Sequence, residues 1–366
     1  MSFIQCVTTA LPPYELSQAR VRELAREQLR GKVAFLDQAL GLFDNSGVES
    51  RRLVRDVDVL LQNRSLGWRN DVYIEECRRL GIGLVEDLLE RTSTAPDEID
   101  VLITTSCTGF MIPALDADLI NHFRMRHDVR RLPFTELGCA AGAMALSRAH
   151  DHLRAYPAHR IAIVAVEIPS MTYLRGDVTL PNLVSAALFG DGGAAALVSG
   201  ERGPFEILDA RTHFFHDTPE MMGFHLTDDG FSIVLDKRVP QLLERELPAA
   251  VRSFLAASGV EQRELRNYLF HPGGRRILDT VRDLFALDED DLALSRETLR
   301  DVGNLSSASV LWVLSKALGG GGRPGLSLVA AFGPGFNAEL LLGRLARDPA
   351  SAALPGATGG APLEPV

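Results

Sequence analysis

The sequence predicts an α/β fold with a mostly parallel sheet, built from two similar halves. In the first half, buried strand patterns cover Ile99 to Thr105 and Arg160 to Glu167, with a helical pattern from Ala140 to Tyr156 between them. This strand–helix–strand order is typical of a parallel sheet. The elements predicted in the second half are strands over 193–199, 205–214, 268–270 and 327–332, and helices over 240–258 and 310–318. A length of 366 residues suits one large domain of two such halves.

The remaining segments complete the predicted organisation. Apolar positions at helical spacing predict an opening helix over 14–30, and residues 71–92 form a second helical pattern that glycines interrupt. The tail from Asp348 to Val366 is rich in Ala, Gly and Pro without periodicity, so disorder is expected there. The predicted divisions are an N-terminal half (1–200), a C-terminal half (201–347) and a disordered tail (348–366).

Composition argues against several classes of function. A net charge of −10 disfavours nucleic acid as a partner, because phosphates require a basic face. No apolar run approaches the roughly 20 residues of a membrane span. The N-terminus lacks the features of a signal peptide, so a cytoplasmic location is expected. The four cysteines are scattered and the histidines lack ligand spacing, which favours free thiols over a disulfide or a metal site.

The first chemical motif is LGCAAGAMA, in which Cys139 precedes a run of very small residues. These residues can pack closely as a buried helix. A thiol at the start of a helix faces unpaired backbone N–H groups and the positive end of the helix dipole, and both favour the nucleophilic thiolate. Alternatively, Cys139 is one more small apolar residue in a core helix.

Two further motifs offer partners for this thiol. His271 ends an apolar strand and is followed by Pro-Gly-Gly, so it can reach the cleft at the carboxyl edge of the sheet. The glycines allow the backbone to approach a slender chain such as pantetheine. Asn304 opens the segment NLSSAS before a helix. Its amide is either a helix cap or a hydrogen-bond donor to a thioester oxygen that becomes an enolate.

Cysteine, histidine and asparagine on three segments form an activated-nucleophile set, which two chemistries use. A papain-like hydrolase needs its own local signature around the cysteine, and this sequence lacks it. A condensing enzyme holds an acyl chain on the cysteine while histidine and asparagine stabilise the enolate that decarboxylation forms. The sequence favours the condensing enzyme.

From about Leu42 to Leu345 the chain resembles the chalcone synthase-like (type III polyketide synthase) family. The resemblance rests on five motifs in the family's order, which are LGCAAG at Cys139, SAALFGDG from Ser185, HPGG at His271, GNLSSAS at Asn304 and FGPG from Phe332. In the related fatty-acid-initiating ketosynthases Gln-Ala-Asn usually follows the histidine, so HPGG is similar to the polyketide branch. The resemblance implies a five-layered αβαβα thiolase fold and a homodimer.

The resemblance assigns the catalytic residues. Cys139 is the nucleophile that becomes acylated, paired with His271 as thiolate and imidazolium. His271 and Asn304 form the oxyanion site for decarboxylation of malonyl-CoA and for Claisen condensation. No metal or redox cofactor is implied, since the acyl-CoA and malonyl-CoA thioesters supply the activation themselves.

The resemblance also identifies residues that shape the cavity. Phe189 matches a gatekeeper between the CoA tunnel and the cavity, and the second gatekeeper falls at Phe231 or Ile233. A hydrogen-bonded trio that biases cyclisation corresponds to Glu167, Ser306 and Cys107, with a thiol where the family usually has threonine. The other cavity residues implied are Thr108, Thr172, Phe332, Pro334 and Ile112, of which Ile112 crosses into the cavity of the dimer partner.

The CoA-binding residues match the family less closely. Neutral residues (Gln38, Gly41 and Asn45) fall near the positions of the plant enzymes' basic residues. The basic candidates for the CoA phosphates are Arg51, Arg52 and Arg55. Gly273 and Gly274 are the candidates for contact with pantetheine.

These features predict an enzyme that loads an acyl starter from CoA, adds malonyl-derived units and cyclises the product. A bacterial-type sequence without an aromatic-starter signature suggests a fatty acyl starter and an alkylpyrone or alkylresorcinol product. The alternative within the family is a malonyl-primed tetrahydroxynaphthalene synthase, which Cys107 in the cavity suits. The alternatives outside it are a carrier-protein-dependent ketosynthase III-like enzyme and a non-catalytic scaffold, and a carrier protein could serve as the starter donor.

Overall fold

The computed structural model describes residues 1–33 and 35–347, which form a mixed α/β structure. The strands are β1 (Ser2–Ala10), β2 (Tyr14–Ser17), β3 (Ser50–Leu53), β4 (Val101–Thr105), β5 (Arg130–Phe134), β6 (Arg160–Glu167), β7 (Gly192–Ser199), β8 (Phe205–Phe214), β9 (Met222–Thr227), β10 (Gly230–Leu235), β11 (Leu265–Phe270), β12 (Gly325–Gly333) and β13 (Asn337–Leu345). The helices are α1 (Gln18–Leu29), α2 (Leu36–Asp44), α3 (Val57–Leu60), α4 (Leu66–Thr92), α5 (Leu115–Phe123), α6 (Ala141–Ala155), α7 (Leu180–Leu188), α8 (Val239–Ala257), α9 (Arg275–Phe285), α10 (Ala293–Val302) and α11 (Ser309–Lys316).

The main sheet has the strand order β11-β12-β13-β8-β1-β7-β6-β4-β5. Its two halves meet where β1 pairs with β8 over only three residue pairs. Parallel pairing is confined to β4 with β5 and β6 at one end and β11 with β12 at the other. The expectation of a mostly parallel sheet is therefore wrong, because β1 pairs antiparallel with β7 and β8, and the pairs β6–β7, β8–β13 and β12–β13 are antiparallel too. Only a short turn joins β12 to β13, and such a turn can connect antiparallel but not parallel strands.

The strands and helices form five layers. The small-residue helix α6 and helix α11 pack between the two halves, and their side chains share one core with strands of both, as with Ala143, Ile163 and Val329. A second core joins α4 to the outer face of the N-terminal strands. A third joins α8 and α9 to the outer face of the C-terminal strands. The αβαβα arrangement is thereby confirmed, and the predicted boundary at residue 200 falls between β7 and β8.

Most predicted elements match the structure within a few residues, and the exceptions have physical reasons. Residues 14–17 are a strand because they pair with β3, so the opening helix begins only at Gln18. The glycines at 81 and 83 do not interrupt α4, and Gly81 lies close against Leu115 of α5. Strand β1, in the middle of the sheet, was not predicted. The tail 348–366 lies outside the described residues.

The fold collects strand ends at one place. Glu167 is the last residue of β6, Cys107 follows β4 closely, and His271 directly follows β11. The loops after β4 and β11, one from each half, line the same cavity. No helix within the described ranges is long and apolar enough to cross a membrane.

Candidate active site

Cys139 lies in a short 3-10 turn, Gly138–Ala140, which leads directly into α6. Gly138 has a left-handed φ of +49°, and a Cβ there would lie 2.6 Å from the Pro334 ring. A Cβ on Gly142 would lie 2.2 Å from the carbonyl oxygen of Ser307. The small residues after Cys139 therefore pack closely, as predicted, and the structure shows that they allow the start of α6 to approach the segment after Asn304.

The thiol is not held as a thiolate in the unliganded chain. Burial raises the pKa of Cys139 to about 12, and a hydrogen bond to the Ser306 hydroxyl, 3.6 Å away, opposes this shift. This desolvation, which penalises the anion, outweighs the predicted advantage from the helix N-terminus.

His271 is buried directly after β11, where its backbone N–H donates to the carbonyl of Ala330 at 2.7 Å. Neither ring nitrogen has a hydrogen-bond partner, and burial lowers the pKa of His271 to about 3. Burial thus favours the uncharged thiol and the uncharged imidazole over the predicted thiolate–imidazolium pair. Two unpaired ring nitrogens leave this imidazole able to accept or donate a proton to a substrate.

The amide of Asn304 has a fixed orientation. Its Oδ1 accepts from the backbone N–H of Ser306 at 2.8 Å and from the Ser309 hydroxyl at 3.3 Å. Its Nδ2 is thereby directed to the carbonyl of Gly273 at 3.4 Å, two residues from His271. The amide N–H₂ and the imidazole thus lie on the same side of the site, an arrangement that can stabilise a developing oxyanion.

A chain of polar contacts joins a buried carboxylate to the thiol. Glu167 is fully buried and accepts from the hydroxyls of Thr108 (2.9 Å) and Ser307 (2.6 Å). The thiol of Cys107 lies 3.6 Å from Glu167 and 3.5 Å from the hydroxyl of Ser306, which also contacts Cys139. The trio predicted from the sequence is thus a relay in which Cys107 stands between Glu167 and Ser306. Burial raises the pKa of Glu167 above its ordinary value.

These groups face one cavity of about 1100 Å³. The predicted residues that line it are Cys139, His271, Asn304, Phe189, Cys107, Thr108, Thr172, Phe231, Ile233, Ser306, Phe332, Pro334, Gly273 and Gly274. Both candidates for the second gatekeeper, Phe231 and Ile233, are among them. Glu167 does not line the cavity itself, but it contacts Cys107 and Thr108, which do.

The arginines predicted for the CoA phosphates lie elsewhere. Arg51 is only 2% exposed, and its guanidinium donates to the carbonyls of Ala186 and Ala187, so no phosphate can reach it. Arg52 and Arg55 are ion-paired with glutamates and do not line the cavity. The assignment of Arg51 is corrected because its guanidinium is buried against backbone carbonyls. The assignments of Arg52 and Arg55 stay predictions.

Three other basic residues line the cavity, and the sequence analysis did not predict them. Lys237, Arg275 and Arg276 are exposed at its rim. Arg275 and Arg276 directly follow the HPGG motif, so their position after a cavity-lining loop was a signal available in the sequence. The neutral Gln38, Gly41 and Asn45 also line the cavity.

Ile112 does not line the cavity of its own chain. It is 80% exposed, and the neighbouring Phe110 is 65% exposed although it reaches the cavity wall. Large apolar side chains this exposed on one loop are a common mark of an interface.

The arrangement combines a thiol nucleophile, a neutral imidazole and an oriented amide at one cavity. Such a set can hold an acyl group on sulfur and stabilise an oxyanion formed next to it. Among the residues that the structure describes, no group of three or more His, Cys, Asp or Glu side chains could hold a metal ion.

Comparison with known families gives consistent matches along the chain. Residues 69–207 match the family described as FAE1/Type III polyketide synthase-like protein, and residues 206–345 match Chalcone and stilbene synthases, C-terminal domain. Together the two matches span most of the residues that carry the site.

Individual relatives cover nearly the whole chain. A 1,3,6,8-tetrahydroxynaphthalene synthase of Streptomyces griseus is 35% identical, with 93% of this chain and 91% of that protein covered. A phloroglucinol synthase of Pseudomonas fluorescens is 34% identical over 82% of this chain and 86% of its own. The crystal structure of the tetrahydroxynaphthalene synthase of Streptomyces coelicolor superposes with a TM-score of 0.91 at 34% identity, covering 94% of this chain and 99% of that one.

Proposed function

Because this chain belongs to the type III polyketide synthases, which are malonyl-CoA-dependent acyltransferases, we propose that it extends a fatty acyl starter to an alkylpyrone or alkylresorcinol. The observation that carries the substrate class is the cavity of about 1100 Å³ next to Cys139. Side chains such as Val184, Leu243 and Phe336 make much of its wall apolar. An apolar wall favours an alkyl chain, which gains free energy on leaving water.

The loading step uses the neutral thiol and imidazole. As the sulfur of Cys139 attacks the thioester carbonyl, its proton passes to the unpaired ring of His271, and the amide of Asn304 donates to the oxyanion. The carbon–sulfur bond to CoA then breaks, and the CoA thiolate takes the proton from His271. The product is an acyl thioester on Cys139 and free CoA thiol.

The extension step uses the same donors. Malonyl-CoA loses CO₂, and the electron pair of the broken bond forms an enolate whose oxygen accepts hydrogen bonds from His271 and Asn304. The enolate carbon attacks the acyl group on Cys139, and the sulfur leaves as thiolate. Because His271 and Asn304 act only where negative charge develops, they stabilise the transition state more than the ground state.

A malonyl-primed tetrahydroxynaphthalene synthase is the second candidate, and a specific contact favours it. The thiol of Cys107 lies in the cavity and shares the hydroxyl of Ser306 with Cys139. A polar group at this place can bind a carbonyl-rich chain built only from malonyl units. The relatives from Streptomyces carry this activity in their names.

The test is intact-protein mass after mixing with a panel of acyl-CoAs, followed by product analysis with malonyl-CoA. The proposal expects an acyl-sized mass gain on the native chain and none on Cys139→Ala. A naphthalene product from malonyl-CoA alone, without a fatty acyl adduct, would instead establish the second candidate. Acylation from a carrier-protein thioester but from no CoA thioester would point to the carrier-dependent class.

We also propose a homodimer as the working unit. The edge strand β5 has an exposed face, and it lies in the same half as the exposed Phe110 and Ile112. An uncapped edge strand beside apolar side chains is suited to pairing with a second copy. Sedimentation of the native chain and of Ile112→Asp tests this, since a monomeric native chain would contradict it.

A further inference from the structure

We propose that Arg51, which does not reach the reacting atoms, is a positioning residue for the reaction because it holds the backbone against which Asn304 is aligned. This inference rests on the proposed function, since Asn304 serves there as an oxyanion donor. It does not depend on which starter is used, because every malonyl-CoA decarboxylation uses the same donor.

The guanidinium of Arg51 is a buried cation on β3, and among the described residues its hydrogen-bond partners are all neutral oxygens. Its Nη1 donates to the carbonyls of Ala186 at 2.6 Å and Phe189 at 3.0 Å. Its Nη2 donates to the carbonyl of Ala187 at 2.9 Å and to the side-chain oxygen of Gln18. Burial lowers the pKa of Arg51 to about 10, so the side chain is still charged at neutral pH.

The three backbone carbonyls belong to the C-terminal end of α7, where carbonyl groups lack partners within the helix. A cation is favoured at this end by the helix dipole. One guanidinium can reach three carbonyls because its N–H groups are fixed in a planar fork. At Phe189 the backbone turns to an extended conformation, so Arg51 fixes the direction in which the chain leaves α7.

The segment that leaves α7 pairs directly with Asn304 through a parallel β-bridge. The backbone N–H of Asn304 donates to the carbonyl of Leu188 at 2.8 Å, and that of Gly190 donates to the carbonyl of Asn304 at 3.1 Å. The contact is close, because a Cβ on Gly303 would lie 2.7 Å from the Leu188 carbonyl oxygen. The backbone of Asn304 is therefore placed by the segment that Arg51 holds.

Gln18, the side-chain partner of Arg51, extends the same network towards His271. Its Nε2 donates to the hydroxyl of Ser46 at 2.8 Å. The carbonyl of Ser46 accepts from the backbone N–H of Arg275 at 3.3 Å, at the end of the loop that begins with His271. Arg51 and Gln18 thus support the backbone of both proposed oxyanion donors from one buried place.

Oxyanion stabilisation requires donors that are in position before the charge develops. Without Arg51 the carbonyls at the end of α7 would be buried without partners, and this end would have to move to satisfy them. The backbone of Asn304 would move with it. Because a misplacement of about 1 Å can lower a rate by roughly 10²-fold, the loss of Arg51 should slow the reaction without removing a reacting group.

The experiment measures CO₂ release from malonyl-CoA per competent site, where competent sites are counted by intact mass as the fraction of Cys139 that a starter acylates. Asn304→Ala should lower kcat by about 10²- to 10³-fold. Arg51→Met should lower kcat by about 10- to 100-fold with KM little changed, and Arg51→Lys, which keeps the charge with fewer donors, should retain more activity. In Asn304→Ala, adding Arg51→Met should cause no further loss, because Arg51 acts through Asn304.

The same substitution at two glutamines gives a matched pair. Gln18→Met loosens the network of Arg51 and should lower kcat by about three- to tenfold. Gln5 is also buried, and its Nε2 donates to the carbonyl of Glu201 at 2.6 Å, but it does not line the cavity. Gln5→Met should therefore lower the melting temperature and leave kcat per competent site unchanged.

The outcomes separate this inference from the proposed function. A native rate in folded Arg51→Met, or a loss that adds in full to that of Asn304→Ala, overturns the role of Arg51 and leaves that of Asn304 intact. An undiminished rate in Asn304→Ala overturns the proposed oxyanion donor and the inference with it. If Arg51→Met does not fold, Gln18→Met and Gln5→Met provide the test, and equal rates in these two variants overturn the inference.

Discussion

The hydroxyl of Ser306 lies 3.6 Å from the sulfur of Cys139, and this contact opposes the effect of burial on the thiol. Ser306 also has a left-handed φ of +48°, which is rare for a residue other than glycine. The backbone is held there because the Ser306 N–H donates to the side chain of Asn304. One strained residue thus places a hydroxyl beside the thiol of Cys139 and fixes the side-chain amide of Asn304.

Replacing Ser306 is predicted to raise the pKa of Cys139 further. Ser306→Gly and Ser306→Ala both remove the hydroxyl, so the rate of thiol alkylation at fixed pH should fall by about three- to tenfold in both. Only alanine is strained at φ +48°, so its melting temperature should be lower than that of the glycine variant. Equal alkylation rates in the native chain and Ser306→Gly would contradict the role of the hydroxyl.

The unliganded enzyme is predicted to lack a thiolate–imidazolium pair. Burial raises the pKa of Cys139 to about 12 and lowers that of His271 to about 3, so the thiolate fraction should rise steadily with pH. The alkylation rate of Cys139 should then increase about tenfold per pH unit from pH 6 to 9, in both the native chain and His271→Ala. A rate that is independent of pH across the neutral range, and is lost in His271→Ala, would show that the pair exists.

Gly142→Ala is predicted to disrupt the site through packing. The added methyl would lie 2.2 Å from the carbonyl oxygen of Ser307, so α6 and the segment after Asn304 must move apart. A loss of about 1–3 kcal/mol in the free energy of unfolding is expected, together with most of the condensing activity. Gly319→Ala is the matched control, since no atom lies within 4 Å of its added methyl. A stable and fully active Gly142→Ala would contradict the close approach.

Asp191 is predicted to make stability fall as pH rises through the mildly acidic range. Burial raises its pKa from 3.8 to about 6, although it accepts hydrogen bonds from Ser170 and from the N–H of Val54. Because the folded-state pKa is the higher one, the native state binds the proton more tightly. The stability linked to this proton is complete below about pH 4 and is lost as pH rises through 6, by about 3 kcal/mol.

Urea unfolding between pH 4 and pH 7 measures this effect. Asp191→Asn should have lower stability at pH 4, because its amide N–H₂ faces donors, and a flatter pH dependence. Ser170→Ala keeps the carboxylate and should keep the decline, displaced to higher pH because a bond that lowers the pKa is lost. If the free energy of unfolding changed with pH equally in the native chain and in Asp191→Asn, Asp191 would not be the group that links stability to pH.

The rim of the cavity is predicted to bind the phosphates of CoA through Lys237 and Arg276. Both side chains are exposed where the cavity reaches the surface, and phosphates are stabilised by nearby cations. Replacing both with glutamine should raise KM for acyl-CoA by about tenfold, with a weaker dependence on salt. Arg52→Gln is the control, because Arg52 is ion-paired with Glu15 away from the cavity. A KM that rises only in the control would reinstate the arginines predicted from the sequence.

Much of the architecture and the candidate catalytic residues were predicted from the sequence alone. Apolar strand patterns and the small residues after Cys139 predicted the strand–helix–strand unit, because periodicity and side-chain size act locally. The three catalytic residue types stood in motifs specific enough to identify the family. The comparisons confirm that family, and the structure brings Cys139, His271 and Asn304 to one cavity.

The tertiary structure decided what depends on burial and on contacts between distant segments. The charges of Cys139 and His271 follow from desolvation, which no local motif encodes. Arg51 is an exposed cation by type, yet here it is buried because the carbonyls of α7 satisfy its guanidinium. The cavity at Cys139 is lined by segments far apart in the chain, so its volume could be known only once the chain was folded.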